Sequence, residues 1–332
     1  MTADGLAALH DDAVWVDARR REVIAAVGAD RVRLLNGLIT NDVAAVPPGA
    51  GCRAALLTAK GHVAADLRLF VDADDIKIVV DAGQAAPTAA TLERYAIMDD
   101  FHARHDADMV LGGIFGPRAV DRLTKVGLPH DVMASLEARG PLAHAVVAPN
   151  IWMARMRELG TGGFWIGGPP EVVEDLERRL AAAAGVARLD PDGAEAARIA
   201  AGEPRWSAEI TADYFPMEVG LGDAIDYAKG CYLGQEVIVR IRDRGHINWQ
   251  LRRLRLRGDS DPAPGDAVES EGRPRAGRIT SAARLPGGEG VALALLHTSV
   301  AEGAEVRIKH GEATIPAVVS AQSGLDAGVD QR

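Results

Sequence analysis

The feature that most constrains this 332-residue chain is an eight-residue segment, Lys229-Gly-Cys-Tyr-Leu-Gly-Gln-Glu236. Gly230 and Gly234 bracket a single cysteine, and glycine lets the backbone turn tightly. A cysteine that serves only as a small hydrophobe sits among apolar neighbours, whereas several residues around Cys231 are charged or polar. The segment therefore predicts a turn that presents the thiol, with a plain structural turn as the alternative. Lys229 and the turn amides are expected to favour the thiolate.

Composition places the chain among ordinary globular proteins. With 48% hydrophobic and 25% charged residues, it can bury a substantial core in two or three domains. The N-terminal residues are charged and include no apolar stretch, so we expect no secretory signal, no membrane anchor and a cytoplasmic location. Cys52 and Cys231 lie far apart in sequence, and we expect both to be reduced. The formal net charge of −10 argues against a general nucleic-acid coat protein, although a local basic patch could bind a polyanion.

Periodicity predicts short strands and helices over the first 201 residues. β-Branched runs predict strands at residues 53–58, 63–71 and 76–80, and a further strand at 101–114. Helical spacing predicts helices at residues 31–38, 87–98, 117–126, 170–184 and 194–201. Asp30 is the expected N-cap of the first helix.

The residue pattern of the chain changes after residue 201. Residues 204–222 are aromatic and interrupted by proline and glycine, which predicts a long ordered loop that lines a site. Residues 251–319 are short β-like runs cut by Gly, Pro and Asp, which predicts a small all-β barrel or sandwich. The last dozen residues are expected to be disordered. The pattern as a whole predicts an α+β protein.

The octet Lys-Gly-Cys-Tyr-x-Gly-Gln-Glu, followed by an arginine-rich run and Gly245-His246, resembles the signature of the YgfZ family. Members of that family are folate-binding proteins that serve iron–sulfur cluster assembly. A looser similarity to the superfamily of the glycine-cleavage T-protein (GcvT) runs from about Val14 to about Val319. The resemblance implies two αβ subdomains and a C-terminal small β-barrel around a central channel.

Asp66 is a candidate catalytic acid. The strand pattern places it among apolar residues in Lys60-Gly-His-Val-Ala-Ala-Asp66-Leu, where an outward-facing acid on an antiparallel strand is the simpler explanation. In the T-protein superfamily the similar stretch carries the catalytic aspartate, which helps to orient the amine during one-carbon transfer. The resemblance therefore keeps a one-carbon transferase open, with Asp66 beside Cys231 as the catalytic candidates.

Two segments resemble the walls of the superfamily's folate channel. They are Arg198-Ile-Ala-Ala-Gly202, similar to an Arg-x-x-x-Gly helix end, and Phe215-Pro-Met-Glu218, similar to a Pro-x-Glu loop. A carboxylate can grip the pterin edge by paired hydrogen bonds, aromatic rings can stack on it, and arginine suits the glutamate tail. The resemblance implies tetrahydrofolate, or another reduced folate, held by Arg198, Glu218, Trp206, Trp165, Tyr214, Lys229, Gln235 and Arg240. For each aromatic taken singly, a place in the core is the alternative.

One departure concerns the pterin. The T-protein has a Tyr-Thr-Gly-Glu motif whose glutamate holds that ring, and the matching run here is Leu159-Gly-Thr-Gly-Gly163. Glycine stands where the acid is expected. Either another group such as Glu218 substitutes for it, or the ligand binds loosely or differently.

Two polar runs have simpler explanations. His102 and His105 lie in a histidine- and aspartate-rich stretch. On a strand they would point to opposite faces and could not share a metal, whereas at a helix end they could. A solvated acidic loop without a metal is the expectation. Alternate spacing on strands would place several members of a basic run on one face, suited to a phosphate or folate tail. The run comprises Arg240, Arg242, Arg244, Arg252, Arg253, Arg255 and Arg257, and a charged sheet edge is the alternative.

The sequence, with the resemblance, predicts a tetrahydrofolate-binding accessory factor for assembly or repair of iron–sulfur clusters, with Cys231 as its functional thiol. Folate and iron–sulfur client enzymes are the expected partners; no membrane is expected. The alternatives are a folate-dependent aminomethyl- or methyltransferase and an RNA-binding module in tRNA modification. Residues 1–245 are the predicted folate-binding region, 246–322 the barrel and 323–332 a disordered tail.

Overall fold

The structure is a computed structural model that describes residues 3–320. The helices are α1 (Ala3–Asp11), α2 (Arg31–Leu38), α3 (Ala85–Tyr95), α4 (Ala119–Lys125), α5 (His130–Arg139), α6 (Pro170–Ala184), α7 (Pro191–Ala201) and α8 (Gln235–Arg244). The strands are β1 (Val14–Asp17), β2 (Arg21–Val27), β3 (Ala50–Leu57), β4 (Val63–Val71), β5 (Asp75–Asp81), β6 (His102–His105), β7 (Val110–Phe115), β8 (His144–Ala148), β9 (Ile151–Glu158), β10 (Thr161–Gly168), β11 (Ala187–Arg188), β12 (Trp249–Leu256), β13 (Ala267–Ser270), β14 (Arg273–Arg284), β15 (Gly290–His297), β16 (Glu305–His310) and β17 (Ala313–Val319).

The first sheet is antiparallel, with strand order β3-β4-β5-β2-β6. Successive side chains of a strand point to opposite faces, so β4 divides its residues between two cores. Leu67 and Leu69 face the layer that contains α2 and α3, whereas Phe70 faces the second sheet. Asp66 and Arg68 share the parity of Phe70, which directs these two charged groups into the space between the sheets.

The second sheet has strand order β11-β1-β7-β10-β9-β8 and is antiparallel except for the parallel pair β1 and β11. One face packs on α4, α5 and α6. The other face meets the first sheet, where Trp165 packs near Phe70 with ring centroids 6.1 Å apart. The two sheets therefore lie face to face with helices on their outer sides.

The last six strands close a barrel in the order β12-β15-β14-β13-β16-β17. It has an apolar core of its own and packs against α7 through β14 and β15. The segment 204–222 runs between α7 and the barrel, and its regular parts are single 3₁₀ turns, one of them at Pro216–Val219. The predicted α+β fold with a small C-terminal β-barrel is confirmed.

The observed helices and strands agree to different degrees with those predicted from the sequence. The helix at 31–38 and the strand at 63–71 have the predicted bounds. The single strand predicted at 101–114 is wrong, because a turn at Asp106 to Met109 separates β6 in the first sheet from β7 in the second. Asp30 makes no side-chain cap, since its carboxylate accepts from the Asp100 amide at 2.9 Å instead. The predicted tail 323–332 lies outside the described residues.

Within residues 3–320, no helix is both long enough and apolar enough to cross a membrane.

Candidate functional site: an arginine-lined channel and the Cys231 turn

A cavity of about 380 Å³ opens where the two sheets, α7 and the segment after it meet. Its walls are strongly basic for a chain with a net charge of −10. Seven arginines line it, Arg20, Arg21, Arg53, Arg68, Arg157, Arg198 and Arg205. Four acids line it as well, Asp81, Glu158, Glu203 and Asp223. We call this cavity the arginine channel; its charge favours an anionic ligand.

Asp66 lies behind the channel wall and serves as a counter-ion. Its side chain is 3% exposed, and Arg53 grips it with two bonds of 3.0 Å, Nε to Oδ1 and Nη2 to Oδ2. Arg68 adds a contact of 3.3 Å to Oδ2. Burial opposes the charge, but the two guanidinium groups outweigh it and hold the pKa of Asp66 well below its usual range. A carboxylate so engaged is a weak base, which disfavours Asp66 as a group that would take a proton from an amine.

Trp165 is part of the support beneath the channel. Its side chain has no exposed surface, and its indole N–H donates to Glu158 Oε2 at 3.0 Å. The guanidinium groups of Arg21 and Arg68 lie over its ring at 5.7 and 5.5 Å. These arginines separate the ring from the cavity, so the expected stacking of Trp165 on a ligand does not fit the structure.

Arg198 is bonded to the protein through every donor it has. Its five N–H groups reach Glu195, Glu209, Ser281 and the carbonyl of Glu203. Because Ser281 belongs to β14 and also donates to Glu209 at 2.6 Å, this buried network ties α7 to the barrel. Arg198 therefore shapes the channel wall and has no donor left for a folate tail.

The other predicted folate contacts from the segment 204–222 do not line the channel. Glu218 is 4% exposed and accepts from the amides of Phe215 at 3.1 Å and Trp249 at 3.3 Å, so it holds the loop to β12. Trp206 and Tyr214 are half-buried against the cluster between α7 and the barrel. Their interactions are structural, which agrees with the alternative of core aromatics.

Two arginines of the channel are left for a ligand. Within residues 3–320, the side chains of Arg20 and Arg157 make no hydrogen bond and no ion pair within 4.0 Å. Burial, and then the adjacent Arg21, lower the pKa of Arg20, which shows an electrostatic cost that an anion would relieve. The Nε of Arg205 is also buried and unsatisfied. These groups were not predicted from the sequence, although the Arg19-Arg20-Arg21 run at the head of β2 was a signal.

The predicted turn around Cys231 presents an exposed thiol. Its neighbours are anchored: Tyr232 is buried with Leu57 and Ile238, and the Asp226 carboxylate accepts from the Lys229 amide at 3.2 Å. Gln235 lies in the first turn of α8, and its side-chain amide reaches the Gly230 carbonyl at 3.4 Å. Cys231 does not line the arginine channel.

Lys229 does not assist the thiol. Its Nζ donates to the carbonyls of Asn36 at 2.7 Å, Ile39 at 2.8 Å and Asn41 at 2.8 Å, which uses all three donors. Burial lowers the pKa of Lys229 to about 8. The expectation that this ammonium stabilises the Cys231 thiolate, or holds a cofactor, is not supported by this geometry.

The second cysteine, Cys52, has the less reactive thiol. Cys52 is half-buried on β3, and burial raises the pKa of its thiol to about 12. At neutral pH it is almost entirely the thiol, which is the poor nucleophile.

The basic run divides between two elements. Arg240, Arg242 and Arg244 lie on α8, so the prediction that they alternate on a strand is wrong. Arg240 is exposed and pairs with Glu236 one turn earlier at 2.6 Å.

His102 and His105 lie on β6, with both side chains exposed. Among the described residues, no group of three His, Cys, Asp or Glu side chains is placed to hold a metal ion.

Two facing sheets with a small barrel packed against α7 define a GcvT-like architecture. A solved structure of this type is glycine cleavage system aminomethyltransferase T from Bartonella henselae, which matches with a TM-score of 0.87 at 21% identity over 96% of this chain and 88% of that one. The chain belongs to the family described as the GCVT N-terminal domain, whose model matches residues 1–229.

Curated relatives are similar over most of the chain. The "tRNA-modifying protein YgfZ" of Yersinia enterocolitica is 26% identical over 296 residues, which covers 86% of this chain and 85% of the relative. The protein of the same name from Yersinia pestis is 26% identical over 293 residues with the same coverage. The resemblance to YgfZ proteins within the GcvT superfamily is thereby confirmed.

Proposed function

We propose that this protein binds tetrahydrofolate, or another reduced folate, in the arginine channel and acts as an accessory factor in assembly or repair of iron–sulfur clusters. The observation that carries the proposal is a pair of arginines, Arg20 and Arg157, that have no hydrogen-bond or close ion-pair partner among residues 3–320 and line a cavity of about 380 Å³. The two carboxylates of a folate's glutamate would supply the missing counter-charge. The GCVT N-terminal domain supports this ligand class.

The thiol of Cys231 is the proposed functional group of the accessory role. It is exposed on a turn whose flanking residues are fixed, so the sulfur can reach a cluster, a sulfur donor or a client protein without unfolding. The relatives named tRNA-modifying protein support clients that modify tRNA. That these clients are four-iron radical enzymes is part of the proposal. The same proposal includes a cytoplasmic location. It also includes a protein, and not RNA, as the direct partner.

A folate-dependent one-carbon transferase is the weaker candidate. It would use Asp66 to orient an amine, yet both carboxylate oxygens are bonded to Arg53 or Arg68. An RNA-binding module is weaker still, because Trp249, the aromatic of the basic run, packs against the core of the protein.

Complementation in cells lacking the endogenous protein tests the accessory role. We expect Cys231→Ala to lose most of the support for four-iron tRNA-modifying enzymes, read as the level of the modified nucleoside. Cys52→Ala is the matched control and should retain that support. Equal urea midpoints would show that Cys231→Ala still folds. Wild-type levels of modification with Cys231→Ala would refute the role of the thiol.

A further inference from the structure

Glu203 is an acid of the arginine channel that, among the described residues, forms no close ion pair, although the more distant Arg68 lowers its pKa. Asp81 and Glu158 pair with Arg21, and Asp223 lies 3.5 Å from Arg53. Glu203 also lines the cavity, yet within residues 3–320 no basic nitrogen lies within 4.0 Å of its carboxylate. In a cavity with seven arginines this free acid is an exception.

The position of Glu203 is fixed by the end of α7. Gly202 ends that helix with a φ of 80°, and the Glu203 amide donates back to the Arg198 carbonyl at 3.1 Å. The side chain reaches the turn between β9 and β10, where the Gly160 amide donates to Oε1 at 3.2 Å. Backbone amides are thus its bonded partners, and a carboxylate has lone pairs to spare for a ligand.

The electrostatic setting favours a ligand that donates N–H groups. Burial raises the pKa of Glu203, and the nearby Glu158 adds to the effect. Two parallel N–H donors would stabilise the charged carboxylate that the empty channel disfavours. Such a pair exists on the 2-amino-4-oxopyrimidine edge of a pterin, while Arg20 and Arg157 suit the carboxylates at the other end of a folate.

The position expected to hold the pterin acid cannot hold a side chain. A Cβ on Gly163 would lie 2.2 Å from the Ile114 carbonyl oxygen and 2.6 Å from the Phe115 ring. Glu218, the substitute suggested by the sequence, is bonded to two backbone amides outside the channel. Among the described residues, Glu203 is therefore the acid that lines the cavity without a basic nitrogen within 4.0 Å.

We propose that the Glu203 carboxylate accepts hydrogen bonds from the amino-pyrimidinone edge of the bound folate and so determines specificity for the pterin. This inference rests on the proposed function, since it names a contact within the same channel. It assigns to Glu203 a binding role, and the bond to the Gly160 amide only orients the carboxylate.

A comparison of two ligands tests the inference. Tetrahydrofolate carries the pterin, and p-aminobenzoylglutamate carries only the other end of the molecule. In calorimetric titrations of the full chain, Glu203→Gln should weaken the binding of tetrahydrofolate about 10-fold or more. The reason is that an amide NH₂ would replace a carboxylate oxygen and would face the N–H donors of the pterin. Binding of p-aminobenzoylglutamate should change by less than about 2-fold. Glu312→Gln, an exposed substitution on the barrel, should leave both affinities unchanged.

The glutamine variant keeps a carbonyl for the Gly160 amide, so its melting temperature should match that of the wild type. An unchanged affinity for tetrahydrofolate in Glu203→Gln would overturn the inference. An equal loss for both ligands would also overturn it, since Glu203 would then only support the cavity. If the wild type binds neither ligand, the proposed function itself fails and the inference falls with it.

Discussion

At the residue scale, Lys229 shows how a side chain of the characteristic octet serves the fold. Its ammonium bonds three carbonyls near the end of α2, and removing it would leave them buried without donors. We expect Lys229→Met to lower the free energy of unfolding by about 2–4 kcal/mol in urea titrations. Lys60→Met, at an exposed position, should have little effect. Equal midpoints for the two variants would contradict this account.

Asp66 is expected to stabilise the protein whether or not it takes part in chemistry. Asp66→Asn would leave Arg53 and Arg68 buried without their shared counter-ion, so the free energy of unfolding should fall by about 3 kcal/mol. Asp259→Asn, an exposed acid, is the control. Loss of function in Asp66→Asn alone would therefore not establish a transferase. A fully stable variant would show that the ion network contributes little.

The same carboxylate predicts a pH dependence. The pKa of Asp66 is lower in the folded protein than in the unfolded chain, so its stabilisation is present above the unfolded pKa of about 4. It is lost as the pH falls through the range between the two pKa values. Wild-type stability should therefore decline more steeply below about pH 4 than that of Asp66→Asn. Parallel pH profiles from urea titrations would argue against a depressed pKa.

At the scale of elements, Gly234 sets the turn that presents Cys231. Its φ is +80°, and a Cβ there would lie 2.6 Å from the Thr58 carbonyl oxygen. Gly234→Ala should therefore cost about 2 kcal/mol or more of stability in urea titrations. Gly230→Ala is a control on the other side of the cysteine, because nothing lies within 4 Å of its Cβ position. A similar stability for both variants would show that the turn is adaptable.

Elements were predictable where one local signal dominated. The strand at 63–71 and the helix at 31–38 have clear apolar periods, and their bounds match. The break between β6 and β7 was not predictable, because a turn over Asp106 to Met109 within a polar run does not show that the chain changes sheets. The helix at Arg240 was misjudged because alternating arginines imitate a strand.

At the scale of the molecule, the channel depends on long-range pairing that the sequence does not reveal. Trp165, Arg198 and Glu218 have the residue types of a folate site, yet each is engaged within the protein. Arg20 and Glu203 were identified only because no side chain of the described residues forms a close ion pair with them. Sequence patterns give residue types and local spacing, whereas the balance of charges in a cavity follows from tertiary contacts.

The central claim is that channel arginines without a close ion-pair partner among the described residues hold a folate. Calorimetric titration of tetrahydrofolate tests it most directly, with the wild type compared to Arg20→Gln and to the exposed control Arg178→Gln. We expect a micromolar or weaker dissociation constant for the wild type and the control, and a loss of about 10-fold for Arg20→Gln. No binding heat with the wild type, or an unchanged affinity in Arg20→Gln, would contradict the claim.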